Sequence, residues 1–216
     1  MLQGILVLTF VSSAWAGCCM PKQWEGLQSE MGQTVTNGKA AMILVTNAIS
    51  YDGTNSRISL LVNSTAGSVV TVTRVIQNFN KGTQYNIDLL TNKCTKSKIT
   101  GSITPACVPD NAVYAQSLYF GGGKNQLPGD TYVWKQKSPT VSVDIALTVS
   151  KDGNDCYPVG EVAFGTANDA QLLETVGFMN ITKGIRDPSV FTPPPSCKQV
   201  PMTDGTFKPS FRFLGL

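Results

Sequence analysis

One short segment restricts the fold of this chain more than any other feature. Residues 140–149 alternate between large apolar side chains and polar or small ones. Successive side chains of a β-strand point to opposite faces, so this pattern predicts a strand with one buried face. Six further segments are rich in β-branched and aromatic residues and are bounded by Gly, Asn, Asp or Pro, which favours an all-β, mainly antiparallel fold. Those segments are residues 41–46, 57–62, 68–76, 83–90, 114–120 and 159–164.

The alternating strands also predict which side chains face inward. A face made of Val, Ile and Leu must be buried against another sheet or a ligand, so these positions are candidates for a ligand pocket, with ordinary core packing as the competing interpretation. The candidates are Ile58, Leu60, Val62, Tyr85, Ile87, Leu89, Val141, Val143, Ile145 and Leu147. Helix is scarce: residues 168–176 are the best candidate, although residues 172–178 fit a strand equally well.

The first residues predict a secretory route. Residues 4–11 form a short apolar run, and Ala14-Trp15-Ala16 precedes Gly17 in the pattern that signal peptidase cleaves. We therefore interpret residues 1–16 as a signal peptide and residues 17–216 as a single domain. No later stretch approaches the roughly 20 apolar residues of a membrane-spanning helix, so no transmembrane segment is expected in the mature protein.

Composition excludes several classes of function. The chain contains no His, which rules out a Ser-His-Asp triad and a His-ligated zinc site. Its net charge is only +3, and the basic residues are scattered, so nucleic acid is not an expected partner. A hydrolase that uses a pair of carboxylates survives this test, but the separation of the acids decides that chemistry. The available acids are Glu25, Glu30, Asp88, Asp110, Asp130, Asp144, Glu161, Asp169 and Glu174.

The cysteines and two sequons fit an extracellular protein. An even number of thiols in an oxidising compartment predicts three disulfides, and every pairing remains open except those joining the adjacent Cys18 and Cys19. The sequons at Asn63 and Asn180 predict N-linked glycans. The six cysteines are Cys18, Cys19, Cys94, Cys107, Cys156 and Cys197.

Two loops resemble ligand-binding motifs, one for phosphate and one for calcium, but each lacks a required residue. Gly121-Gly122-Gly123-Lys124 lacks the Ser or Thr that a phosphate-binding loop places after its Lys, so a hairpin loop is predicted instead. Asp152, Asn154 and Asp155 offer oxygen atoms to calcium, but the twelve-residue loop of an EF-hand and its closing Glu are missing. A tight turn is therefore predicted there, and no residue is assigned as a metal ligand from the sequence.

Four ordered segments resemble one known family. They are residues 18–26 (CCMPKQWEG), residues 50–57 (SYDGTNSR), residues 155–159 (DCYPV) and residues 184–197 (GIRDPSVFTPPPSC). Together they resemble the cysteine, turn and proline motifs of ependymin-related proteins, and they extend over nearly the whole mature chain.

The resemblance implies two curved antiparallel sheets around a deep apolar pocket, an architecture similar to bacterial lipoprotein carriers. It implies a secreted or lysosomal homodimer that binds lipid-like ligands, with calcium binding in some members and no enzymatic activity. It also implies that Cys18 pairs with Cys156 and Cys94 with Cys197. Cys19 and Cys107 are additional to the vertebrate pattern and are left as the third pair.

The leading hypothesis is therefore a non-catalytic, secreted carrier of amphipathic lipids. The first alternative is an extracellular matrix or adhesion protein whose apolar interior is a filled core. The second is a carboxylate-based glycan hydrolase. Native mass spectrometry distinguishes the first two, because a carrier exchanges ligand and a filled core does not.

Overall fold

The computed structural model describes residues 18–167 and 170–203, which form a sheet of twelve strands. The predicted signal peptide and Asp169 lie outside the described residues. The first six strands are β1 (Gln23–Thr36), β2 (Lys39–Asp52), β3 (Arg57–Ala66), β4 (Val69–Asn78), β5 (Thr83–Asp88) and β6 (Lys93–Lys98). The others are β7 (Val113–Gly122), β8 (Asn125–Ser138), β9 (Val141–Asp152), β10 (Asp155–Ala167), β11 (Ala170–Lys183) and β12 (Met202–Thr203), with 3-10 turns at Pro188–Phe191 and Pro195–Cys197.

The sheet is continuous and almost entirely antiparallel. Its strand order is β12-β6-β5-β4-β3-β2-β1-β11-β10-β9-β8-β7, and only the short β12 runs parallel to its neighbour. Most connections are tight hairpins, which requires positive φ angles at the turn. Asn37 and Gly38, with φ of 51° and 73°, join β1 to β2 in this way. The all-β prediction is confirmed.

One sheet, rather than two separate sheets, builds the interior. The first and last long strands pair directly, from Trp24 opposite Lys183 to Val35 opposite Gln171, and this pairing joins the two halves of the chain. The sheet does not close, because β7 and β12 remain at its edges. It nevertheless bends around a shared core: Leu60 and Val75 from one half belong to the same buried cluster as Leu147 from the other. We call the face toward this cluster the inner face and the opposite one the outer face.

The two ends of the sheet differ. At the closed end, which holds the turns at residues 53–56 and 153–154, Trp24 stacks on Tyr51 with ring centroids 5.7 Å apart. The Tyr51 hydroxyl donates to the carbonyl of Thr104 (2.9 Å), and Ala106 and Val108 from the same segment join the core. The open end holds the turns at residues 37–38 and 67–68. The segment that follows β6 and the segment before β1, which contributes Met20, therefore cover the interior at the closed end.

Of the two interpretations offered for this segment, the strand at residues 172–178 is confirmed, and the helix is wrong for residues 170–176, the part of residues 168–176 that the structure describes. The structure places β11 over Ala170–Lys183, paired with β1 on one side and β10 on the other. Leu172, Glu174 and Val176 lie on its inner face, so the helical spacing seen in the sequence is overridden by hydrogen bonding to two long neighbours. The strands β1, β6 and β8 were not predicted, because their sequences are too polar or contain Pro and Gly.

A second, smaller core lies on the outer face. Ile76 and Ile87 are buried there with Cys197, and Tyr85 packs against them. The residues after β11 cover this patch, so Tyr85 and Ile87 do not face the interior and cannot line a pocket there. Leu89 follows the end of β5 and is 37% exposed. The prediction of inner-face positions was therefore wrong for all three residues on this segment.

Three disulfides hold the ends of the chain to the sheet. Cys18 pairs with Cys156, Cys19 with Cys107 and Cys94 with Cys197, which are the pairs expected above. The first two fix the segment before β1 to β10 and to the segment that seals the closed end. The third fixes the C-terminal segment over the outer core. None of the described residues forms a helix long and apolar enough to cross a membrane.

Candidate ligand-binding face

The closed half of the inner face is filled by side chains. Seven of the ten predicted pocket residues lie on this face and belong to the main core or pack against it. Ile58, Leu60, Val143, Ile145 and Leu147 are at most 9% exposed. Val62 and Val141 are only partly buried and mark where the filled region ends. The described residues thus bring these seven predicted positions together as a core, and the more accessible part of the inner face lies further toward the open end.

The open half of the inner face carries apolar side chains that remain partly accessible. Val45 on β2 and Leu172 on β11 are half-buried, whereas Ile43 is 38% and Val69 61% exposed. Gly32 lies between these strands on β1, and a Cβ atom added there would meet no heavy atom within 4 Å. We call this region the open cleft, defined by Gly32, Ile43, Val45, Val69 and Leu172.

Three carboxyl groups form the floor of the open cleft. Glu30 on β1 and Glu161 on β10 both pair with Val176, which lies between them on β11. Glu174 lies two residues from Val176 and pairs with Gly32. Glu161 and Glu174 are only 4% and 6% exposed. The register therefore collects three acids on three adjacent strands, all on the inner face.

The surroundings of Glu30 raise the pKa of its carboxyl group. Burial, together with a smaller effect of the neighbouring charge of Glu174, raises the pKa of Glu30 from 4.5 to about 7. A carboxyl group that is both desolvated and close to a second acid resists ionisation. Glu30 consequently changes charge close to neutral pH.

Two amide side chains continue the polar floor toward the closed end. Asn47 on β2 lies opposite Gln28 on β1 and donates from its Nδ2 to the Oε1 of Gln28 (3.4 Å). Asn47 is fully buried, yet its Oδ1 accepts no hydrogen bond. Buried acceptors usually have a partner, so this oxygen is free to accept a hydrogen bond from a further group.

Sequence reasoning listed the three acids but could not group them. Their separations along the chain are large, and only the pairing of β1 with β11 brings Glu30 close to Glu174. One signal was present: on β1, Gln28 and Glu30 occupy the same alternating positions as Trp24. Polar residues at inward positions indicate a site more often than they indicate a core.

The other sequence-predicted positions lie away from the open cleft. Asn63 and Asn180 are both exposed, as glycosylation requires, and Asn180 has a φ of 53° in the irregular pairing of β1 with β11. Asp155 beside the turn at residues 153–154 accepts a hydrogen bond from Lys183 (2.8 Å). Among the described residues no group of three or more acidic or Cys side chains is arranged to hold a metal ion.

The outer face carries an unusual number of accessible apolar side chains. Across adjacent strands, Met31 pairs with Leu44, and Phe164 pairs with Leu173. A depression of about 330 Å³ beside them is lined in part by Val162 and Phe164. We call the six residues the outer apolar band: Met31 (51% exposed), Met42 (57%), Leu44 (45%), Val162 (41%), Phe164 (56%) and Leu173 (47%).

Comparison with known proteins identifies one family. The family model described as Ependymin matches residues 68–197, which is more than half of the chain. An ependymin-related protein 1 from Haliotis asinina is 30% identical, with 88% of this chain and 94% of that protein aligned. The mammalian ependymin-related protein 1 of Mus musculus is 27% identical over 87% of this chain and 80% of that protein. Ependymin-2 of Carassius auratus is 24% identical over 78% of this chain and 76% of that protein.

Proposed function

This chain belongs to the ependymin family, and from that premise we propose that it is a secreted, disulfide-bonded glycoprotein that binds the apolar chain of a lipid-like amphiphile in its open cleft, without catalysis. Three disulfides and two exposed sequons support the extracellular part of the proposal. A lysosomal destination, also implied by the resemblance, stays a prediction.

One observation carries the binding proposal: there is open space at Gly32, and the apolar side chains of Ile43, Val45 and Leu172 lie on the strands beside it. A core position would place atoms against an added Cβ, whereas Gly32 offers none within 4 Å. Ile43 and Val69 remain accessible beside it. Each methylene that a ligand buries here contributes about 0.8 kcal/mol of binding free energy, so a chain of several carbons offsets part of the free-energy cost of association. Apolar burial discriminates poorly between different alkyl chains, so the selectivity of binding depends on polar groups.

Filling that space tests the proposal. We expect Gly32→Phe to reduce the amount of lipid bound by the secreted protein at least about tenfold, because the ring occupies the volume that several methylenes would fill. The variant should fold, since nothing lies within 4 Å of the new Cβ. Native mass spectrometry of the protein from eukaryotic cells, with organic extraction of what co-purifies, measures the bound lipid.

A matched control lies on the neighbouring strand. Gly177 on β11 faces outward opposite Ser29, and an added Cβ there also meets nothing within 4 Å. Gly177→Phe should leave lipid binding unchanged. If the unmodified protein carries no lipid and takes up none that is added, the carrier proposal fails, and the extracellular interaction protein with a filled interior replaces it. Turnover of a glycan that disappears on a single Glu→Gln change would instead revive the hydrolase.

The outer apolar band supports a homodimer as the assembly. A second copy of this chain offers the same apolar band, and two such faces bury each other's apolar side chains when they meet about a twofold axis. We therefore place the partner copy on Met31, Leu44 and Phe164 rather than at an edge strand. An accessible band of this size on a sheet face is otherwise uncommon in a monomer.

Oligomeric state in solution checks this assignment. We expect Phe164→Glu to convert the dimer into a monomer, because each interface would gain two buried, unpaired carboxylates. Val113 on the edge strand β7 is 64% exposed and lies outside the band, so Val113→Glu should leave the dimer intact. Sedimentation velocity distinguishes the two species. A dimer that persists in Phe164→Glu would place the interface elsewhere.

Calcium binding stays a prediction of the resemblance alone. An increase in melting temperature on adding calcium that magnesium does not reproduce would support it. The same melting temperature in calcium and in a chelator would remove calcium from the function of this chain.

A further inference from the structure

The floor of the open cleft is rich in hydrogen-bond acceptors and carboxyl groups, although its walls are apolar. Glu30, Glu161 and Glu174 lie on the inner faces of β1, β10 and β11. In the open half of that face, none of the described positions of those three strands is Lys or Arg, and Lys183 on β11 lies at the closed end opposite Trp24. A site for a fatty acid or another anionic head group would present the opposite charge.

Asn47 gives independent evidence for the kind of group that the inner face can bind. Its side chain is fully buried on the inner face, next to Gln28, and its Oδ1 has no donor. On the opposite half of the sheet, the Oε1 of Gln136 is also buried and without a partner, and Gln136 lies opposite the inward-facing Val143. Both orphan atoms are acceptors. Each of these two oxygens can therefore accept a hydrogen bond from a donor that a ligand brings.

An ammonium group satisfies this pattern better than other common head groups. It carries three N–H donors and no acceptor, and its charge complements a carboxylate. A hydroxyl brings an acceptor of its own, and a carboxylate brings only acceptors and the wrong charge. The open space at Gly32, beside Glu174 and two residues from Glu30, gives such a group an approach to the acids.

We propose that the open cleft binds an amphiphile with a primary ammonium head group, which Glu30 and Glu174 hold at the floor while the alkyl chain lies against the apolar walls. This inference rests on the proposed function and specifies the class of ligand for the same site. It assigns Glu30 and Glu174 a role in specificity and leaves most of the binding energy to the chain.

Three chain-matched probes test the assignment: dodecylamine, dodecanol and dodecanoate. At pH 8 we expect dodecylamine to bind the secreted full-length protein at least about tenfold more tightly than dodecanol, because a hydrogen bond to a charged group is stronger than one between neutral groups. Dodecanoate should bind more weakly than both. Isothermal titration below the micellar concentration of each probe gives the three affinities.

Two substitutions locate the preference. Glu30→Gln and Glu174→Gln should each reduce the ratio of amine to alcohol affinity by about fivefold or more while leaving dodecanol binding within about twofold. Asp144→Asn is the control for net charge, because Asp144 lies on the outer face in an exposed ion pair with Lys135. That variant should keep the wild-type ratio. Thermal unfolding of each variant confirms that the fold is intact.

The outcomes separate this inference from the function on which it rests. If none of the three probes binds, the proposed function fails and the head-group assignment fails with it. If dodecanol and dodecylamine bind equally, or if the preference survives in both Glu variants, the ammonium assignment is overturned and the carrier function stands. A preference lost in both Glu variants and retained in Asp144→Asn supports the assignment.

Discussion

Replacing Asp52 with Ala is expected to lower the free energy of unfolding by about 3–5 kcal/mol, the range for removing one partner of a buried ion pair. The Asp52 carboxylate is fully buried at the end of β2 and forms an ion pair with the Nε of Arg57 (2.8 Å). It also accepts hydrogen bonds from Gln23 (2.9 Å) and from the backbone and side-chain nitrogens of Asn55 (3.1 and 2.8 Å). Removing it leaves four donors without an acceptor.

The same carboxylate makes the protein sensitive to acid. Burial alone would raise the pKa of Asp52, but the hydrogen bonds from Asn55, Gln23 and Arg57 outweigh it, so its pKa lies below the ordinary 3.8. The stabilisation is present above pH 3.8 and is lost as the pH falls through the folded-state pKa. Urea unfolding at pH 7 and at pH 3 measures this change.

Asp144→Ala provides the control for Asp52→Ala. Asp144 also lies on a strand and in an ion pair, but its side chain is 43% exposed, so its removal should cost less than about 1 kcal/mol. Equal losses in the two variants would mean that the network around Asp52 is no stronger than a surface ion pair.

The turn motif of residues 50–57 therefore has a structural role, because its Asp52 organises the hydrogen bonds of the turn. Arg57 connects it to the C-terminal segment, because its guanidinium lies 4.2 Å from the centre of the Phe191 ring. Asp187 in the same segment caps the 3-10 turn that presents Phe191, accepting from the backbone N–H of Ser189 (2.9 Å). Two of the four sequence landmarks thus pack against each other at the closed end of β3.

Alternation along the chain predicted the strands well and their inner faces only in part. On β9, Val143, Ile145 and Leu147 are buried as expected, because a single face of that strand is apolar. The rule failed at Tyr85 and Ile87, whose apolar face is covered by residues near Cys197 instead of the interior. The alternation of a strand shows which side chains share a face. It does not show which other part of the protein covers each face.

The candidate site was less accessible to sequence reasoning than the fold. The open cleft depends on which strands pair, and β1 and β11 are separated by most of the chain. The three acids acquire a common location only through that pairing. The space at Gly32 was equally invisible, since a glycine in a strand commonly marks a bulge or a close backbone contact. Here it marks neither, because nothing lies within 4 Å of its missing Cβ.

The second large effect is expected at Glu30, and its sign is opposite to that at Asp52. Burial, assisted by the charge of Glu174, raises the pKa of Glu30 from 4.5 to about 7 in the folded protein. The folded state therefore binds this proton more tightly than the unfolded state does, and the protein loses stability as the pH rises from 4.5 to 7. Above pH 7 the full penalty for the buried charge applies.

Glu30→Gln removes that penalty while preserving the shape of the side chain. We expect the variant to be more stable than the wild type by at most about 3 kcal/mol at pH 8, and by much less at pH 4.5, where the carboxyl is protonated in the folded state and about half protonated in the unfolded state. Urea unfolding at both pH values gives the difference, with Glu25→Gln on the outer face of the same strand as the comparison. A gain that does not depend on pH, or a loss at pH 8, would contradict the raised pKa. The substitution that weakens ammonium binding should also make the folded protein more stable at pH 8. Reduced binding by this variant therefore cannot be attributed to unfolding. The buried carboxyl groups would then lower stability in exchange for ligand selectivity.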